Sequence, residues 1–260
     1  MPAITRRDVL KAAPLAAVPR LSGCSAGVAP AATMGNPIEL RAADGVMVTG
    51  AYSKAGDPKA LILLFHQAGS GRGEYDTIVP RLLQAGYSTL AIDQRAGGDM
   101  FGTNTTASRF ATPASYSQAK LDLEAAVEFA RAEKWPIILW GSSYSAALVF
   151  EVAAEHPSGI TAILAFSPGE YLGTGDSVRR AASKVRVPVF ITSANEAEEL
   201  EAARAIFEAV QGPTKNQFVP KIAGVHGSST LIASRNPQGA EENWTAVLAF
   251  LSGLIPTQSR

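Results

Sequence analysis

The chain has 260 residues, 47% of them hydrophobic and 18% charged, with 23 basic and 23 acidic side chains. That length suits a single α/β domain with a large core, and that hydrophobic content excludes wholesale disorder. Zero formal net charge without a Lys/Arg-rich run leaves no footprint for a nucleic-acid partner, and no apolar stretch is long enough to span a bilayer.

The N-terminus reads as an address. Thr5-Arg6-Arg7-Asp8-Val9-Leu10-Lys11 resembles a twin-arginine export signal, and an alanine-rich, weakly apolar segment follows from Ala12 to Val18. Leu21-Ser22-Gly23-Cys24 then resembles a bacterial lipobox, in which the cysteine becomes the lipidated first residue of the mature protein. Cys24 is the sole cysteine, so an internal disulfide is impossible. Segment 1–24 is therefore expected to be a signal, 25–36 a linker and 37–256 the folded domain. Cleavage near Ala29–Ala32 without lipidation is the other way to read it. Either way the expected location is the periplasm or cell envelope of a bacterium, with membrane contact only through an N-terminal lipid anchor.

Beyond residue 36, strand and helix patterns alternate. Ile38–Arg41 and Val46–Tyr52 flank Asp44-Gly45, a hairpin turn. Ala60–Phe65, Ser88–Ile92, Pro136–Trp140, Ile160–Phe166 and Val187–Thr192 are short apolar runs of buried-strand type, and Gln217–Pro220 is a further short strand. Tyr75–Ala85, Gln118–Ala132, Tyr144–Ala154, Glu196–Val210 and Trp244–Leu254 have helical spacing. The alternation predicts an α/β fold: a doubly wound, mostly parallel sheet with helices on both faces and an antiparallel N-terminal hairpin at one edge. Ligands of such sheets gather at the carboxyl ends of the strands.

One of those ends carries Gly141-Ser142-Ser143-Tyr144-Ser145. A buried strand, then Gly-x-Ser-x-small, then a helix is the pattern of a nucleophile elbow, which lifts a serine hydroxyl above the sheet. Small residues at Gly141 and Ser145 suit a turn too tight for bulk, although the last position holds serine rather than glycine.

A serine nucleophile needs a base. His226 lies in Gly224-Val225-His226-Gly227, a glycine-flanked loop after the last strand, and follows the serine in chain order. His156 reads as a cation at a helix C-terminus. His66 reads as a residue that orients the loop after its strand. The acid should be a carboxylate on a strand-end loop between Ser143 and His226. Glu196, in Ser193-Ala194-Asn195-Glu196-Ala197-Glu198-Glu199, has the expected spacing; Glu198 and Glu170 are the alternatives. For the oxyanion, the backbone N–H groups of Tyr144 and Ala68 form the expected pair, with Gln67 the alternative to Ala68.

Residues 36–256 resemble the α/β-hydrolases, in particular the dienelactone-hydrolase-like and carboxylesterase branch. The resemblance rests on the Ser143 elbow, on His66-Gln67-Ala68-Gly69 and on Val225-His226-Gly227. It implies a serine hydrolase acting on small-molecule carboxylic esters through a Ser-His-Glu triad, with no cofactor. Dienelactone hydrolases proper use a cysteine nucleophile, and Ser143 stands in its place. The short segment between Phe166 and Val187 implies a small lid.

Two other functions compete. Gly69-Ser70-Gly71-Arg72-Gly73 follows a strand, Asp93 ends the next one, and Tyr116-Ser117-Gln118-Ala119-Lys120 has Tyr-x-x-x-Lys form; together they mimic an NAD(P)-dependent short-chain dehydrogenase. The fingerprint fails at Glu74, where a third glycine belongs. A non-catalytic binding protein on a hydrolase fold is the other alternative. Asp93 and Arg95 are expected to form a structural ion pair, and Phe101–Arg109 an ordered loop at the mouth of the site. No zinc or calcium motif occurs, and the histidines are not at metal-ligand spacing.

Overall fold

The structure is a computed structural model and describes residues 35–254 apart from residue 174. The proposed signal, Cys24 and most of the proposed linker lie outside the described residues. Eight strands form one sheet in the order β1-β2-β4-β3-β5-β6-β7-β8. They are β1 (Asn36–Arg41), β2 (Met47–Ser53), β3 (Leu61–Phe65), β4 (Ser88–Ile92), β5 (Ile137–Ser142), β6 (Ile160–Phe166), β7 (Val189–Thr192) and β8 (Lys215–Phe218). β1 and β2 form the antiparallel hairpin, β2 runs antiparallel to β4, and every pairing from β4 to β8 is parallel. The expected sheet, with its antiparallel edge, is the one that forms.

Side-chain alternation sorts the core into two layers. Leu61, Leu63 and Phe65 of β3 face one layer, into which Leu123 of α2 (Lys120–Glu133), Val149 of α3 (Tyr144–Glu155), Val178 of α4 (Ser177–Ala182) and Ile206 of α5 (Ala197–Ala209) pack. Ile62 and Leu64 face the other, with Leu82 of α1 (Val79–Gln84) and Trp244 of α6 (Ala240–Gly253). A strand apolar on both sides is what a sheet covered twice requires. Each fully buried Leu, Ile or Phe contributes roughly 1.5–3 kcal/mol.

Three elements differ from the sequence reading, each for a local reason. The helix expected over Tyr75–Ala85 splits into a 3-10 turn, Arg72–Tyr75, and α1, which begins at Val79. Pro80 lacks an N–H and is tolerated only in a first turn, so it sets the start of α1. α6 begins at Ala240, four residues before the expected Trp244, with Glu241 and Glu242 in its first turn. α4 has six residues, too few for helical spacing to stand out. Its first N–H groups, from Val178 and Arg179, donate to Glu170 at 2.9 and 3.0 Å. Glu170 is thereby committed to a helix start.

Candidate active site

The elbow is built at the carboxyl end of β5. Ser143 has φ 59° and ψ −122°, a region that L-residues rarely occupy. Several bonds hold it there. Its own N–H donates to the Phe166 carbonyl at 2.8 Å. The Ser142 N–H donates to Ser145 Oγ at 2.8 Å, and that hydroxyl donates to the Phe65 carbonyl at 2.6 Å. The serine that replaces the usual glycine thus ties the elbow to β3. Gly141 does need its missing side chain: a Cβ there would lie 2.5 Å from Ala146 Cα and from the Ser145 carbonyl oxygen.

Ser143 is 7% exposed, and its Oγ donates to Nε2 of His226 at 2.8 Å. On the other side of the ring, Nδ1–H donates to Oε1 of Glu199 at 2.6 Å. Glu199, not Glu196, is the carboxylate against the imidazole. The chain stays extended through Glu196 (φ −65°, ψ 136°), and α5 begins at Ala197. Glu199 therefore lies in the first helical turn, from which its Oε2 reaches back to accept the Ala194 N–H at 3.2 Å. Glu196 and Glu198 are exposed.

His226 is held by its neighbours. Gly227, with φ +65°, donates its N–H to Ser167 Oγ at 2.9 Å, and a Cβ there would lie 2.5 Å from Ser142 Oγ. The hydrogen bond to Glu199 raises the proton affinity of His226 above its ordinary value; burial opposes this, and the charges of Glu199, Glu74 and Glu196 reinforce it. Burial pushes Glu199 up, yet the net shift is downward, because His226, Ser167 and the Ala194 N–H all favour the carboxylate. The two shifts are mutually consistent: at rest, the pair is a carboxylate beside an imidazole with raised proton affinity.

The loop after β3 carries Ala68 and Gln67, the two residues expected to offer the second oxyanion donor. His66 is fully buried, and burial lowers its pKa to about 4, so it is neutral. Its Nε2 accepts the Gln94 N–H at 2.9 Å, which leaves Nδ1–H to donate to the Gln67 carbonyl at 2.8 Å. In a trans peptide the C=O and the following N–H point in opposite directions. The Ala68 N–H is thus turned away from His66. The Gln67 N–H is taken by Oε2 of Glu74 at 2.9 Å, which removes Gln67 as the alternative donor. The N–H groups of Ala68 and Tyr144 have no acceptor among the described residues. His66 orients the loop, as expected.

Other expectations change. Asp93 and Arg95 do not pair with each other. Asp93 forms its ion pair with Arg72 and accepts the N–H groups of Arg72 and Thr105, whereas Arg95 bridges Asp122 (2.8 Å) and Asp44 (2.5 Å). Asp93 is then not available for a ribose. Lys120 pairs with Glu155, and Tyr116 stacks on Tyr144 at 4.4 Å, so the Tyr-x-x-x-Lys residues face separate partners. His156 contacts Arg131 through Nδ1 (2.7 Å) and Glu124 through Nε2 (2.5 Å), so the ring bridges two side chains of α2 at the end of α3. The Phe101–Arg109 loop is ordered through Asn104, whose side chain donates to the carbonyls of Ser70 and Gln94 at 3.0 Å each. One nearby residue had no functional signal in the sequence: Glu74, a fully buried side chain beneath the site. No metal-binding cluster of His, Cys, Asp and Glu occurs among the described residues.

A parallel sheet with an antiparallel edge, bearing a serine elbow after β5 and a histidine loop after β8, has clear relatives among solved structures. An esterase of Pyrococcus furiosus superposes with a TM-score of 0.64 at 19% identity, covering 85% of this chain and 91% of that one. The fold is that of the α/β-hydrolases. A dienelactone hydrolase of Anabaena variabilis gives 0.61 at 17% identity over 84% and 96% of the two chains. A cold-adapted esterase from an Arctic intertidal metagenomic library gives 0.55 at 25% identity over 70% and 81% of the two chains. Residues 56–173 match the serine aminopeptidase S33 family, a span that contains Ser143 and ends before Glu199 and His226. No curated protein sequence matches the chain.

Proposed function

We propose that the protein is a serine hydrolase that cleaves small carboxylic esters through an acyl-enzyme, with Ser143 as nucleophile, His226 as base and Glu199 as acid. The observation that carries this is the continuous relay from Ser143 Oγ to His226 Nε2 (2.8 Å) and from His226 Nδ1 to Glu199 Oε1 (2.6 Å). Esterases among the structural neighbours and the S33 match over the elbow support it.

The steps follow from the geometry. Ser143 Oγ attacks the ester carbonyl while its proton passes to His226 Nε2. Glu199 keeps the proton on Nδ1 and stabilises the imidazolium. The oxyanion lies between the N–H groups of Ala68 and Tyr144, each worth about 2.7–4 kcal/mol in the transition state. His226 returns its proton to the leaving alkoxide, and the alcohol departs. A water, deprotonated by the same nitrogen, then attacks the acyl carbonyl, and Ser143 recovers its proton as the acid leaves. No step requires a cofactor.

Among its described residues the segment between β6 and β7 carries one helix, α4, whose Val178, Ala181 and Ala182 are buried in the core. A site with so small a cover suits short, soluble acyl groups. Turnover of p-nitrophenyl acetate that vanishes in Ser143→Ala tests the assignment, and an acyl-length series run beside aminoacyl p-nitroanilides separates ester from peptide preference. We also propose export to the bacterial cell envelope through the Arg6-Arg7 signal, with Cys24 as lipid anchor. Globomycin should then make a larger precursor accumulate, and Cys24→Ser should release the protein from membranes.

A further inference from the structure

Beneath the site sits a buried carboxyl group that the mechanism above does not use. Glu74 is 0% exposed, and its partners are neutral: the Gln67 N–H at 2.9 Å on Oε2 and the Ser142 hydroxyl at 2.7 Å on Oε1. Ser142 Oγ in turn accepts the Ser228 N–H at 2.8 Å. Since Ser228 offers only a donor there, the hydroxyl proton of Ser142 must go to Glu74. Both carboxyl oxygens therefore act as acceptors. Glutamine presents one acceptor and one donor, and so cannot replace both bonds. Burying a carboxylate without a cation is costly, and an apolar or amide side chain would serve stability alone better.

The two partners of Glu74, and Ser228 bonded to one of them, neighbour the three reacting parts. Gln67 precedes Ala68, Ser142 precedes Ser143, and Ser228 follows His226 by two residues. We propose that Glu74 is a positioning residue: one oxygen holds the Gln67 N–H and the other the Ser142 hydroxyl, which keeps the loop that carries the Ala68 oxyanion donor in register with the nucleophile elbow and, through Ser142, with the histidine loop. His66 holds the carbonyl side of the Gln67–Ala68 peptide and Glu74 the N–H side of the one before it, so the donor is set before substrate arrives. The inference rests on the hydrolase reading above.

The test uses the full chain and p-nitrophenyl acetate, with rates normalised to active sites titrated by the acyl burst. A donor used only in the transition state lowers kcat and kcat/KM together. Glu74→Gln should lower kcat per titrated site by about 10- to 100-fold with KM within about twofold, since a displaced donor costs less than a deleted one. Ser142→Ala, which leaves the Gln67 bond in place, should show the same pattern with a smaller loss, and it provides the test if Glu74→Gln does not fold. Either variant retaining wild-type kcat per site, with only a lower melting temperature, would overturn the positioning role. Wild-type protein that neither turns over the ester nor gives a burst would remove the hydrolase reading itself, a distinct failure.

Discussion

Glu199 and His226 meet at 2.6 Å, although Glu199 sits three residues past Glu196, the carboxylate at the spacing expected for the acid. The contact sets both the tautomer and the proton affinity of His226. Glu199→Gln should leave the fold intact and lower kcat by roughly 10³- to 10⁴-fold, because the amide favours the wrong tautomer. Glu196→Gln, on an exposed side chain, should stay within about threefold. Steady-state kinetics of the two variants side by side checks this; equal losses would refute the assignment.

The same contact governs pH dependence. The proposed mechanism needs neutral His226, whose proton affinity is raised by the hydrogen bond to Glu199. The acid limb of kcat/KM should therefore lie above pH 6.5, the ordinary histidine value. In Glu199→Gln the raising partner is gone and the opposing burial remains, so the limb should move to lower pH. Labelling rates with a fluorophosphonate between pH 5 and 9 measure both limbs even when turnover is slow.

Ser143 holds a positive φ of 59° that its side chain opposes. Such a conformation costs on the order of 1–3 kcal/mol, part of which glycine recovers and part of which is offset because glycine raises the entropy of the unfolded chain. Ser143→Gly should be inactive and more stable by about 1 kcal/mol, or roughly 2–4 °C in Tm for a domain of this size. Ser143→Ala should be inactive without that gain. Thermal melts of the pair decide it.

Buried His66 makes an acid-stability prediction. Its folded pKa, about 4, lies below the unfolded value of 6.5. Between those values the unfolded chain binds a proton that the folded chain does not, so stability is full above pH 6.5 and is lost as pH falls towards 4. The loss is of order 3 kcal/mol. Nitrogen-15 shifts of the ring should report a neutral, Nδ1-protonated imidazole at pH 5.5; a charged ring there would contradict it.

What the sequence disclosed follows physical range. The strands of the sheet, the elbow at Ser143 and the loop of His226 depend on local signals: apolar runs, small residues at a tight turn, glycines beside a histidine. The acid depends on where a helix starts to within one residue. Glu196, Glu198 and Glu199 share one short run, and only the extended conformation through Glu196 puts the third of them on the His226 side. A glutamate at the third helical position that can reach back to a preceding N–H was the usable sign. Glu74 was legible only as a residue unfit for a phosphate loop; that it gathers Gln67, Ser142 and Ser228 depends on three distant segments meeting. The Asp93–Arg95 pairing failed for the same reason, since each finds a better placed partner on another element.

The most direct measurement is mass-spectrometric mapping of a fluorophosphonate adduct. One equivalent bound at Ser143, much slower in His226→Ala and absent in Ser143→Ala, is the predicted result. No adduct at Ser143, or ester turnover that survives Ser143→Ala, would contradict the assignment of this hydroxyl as the nucleophile.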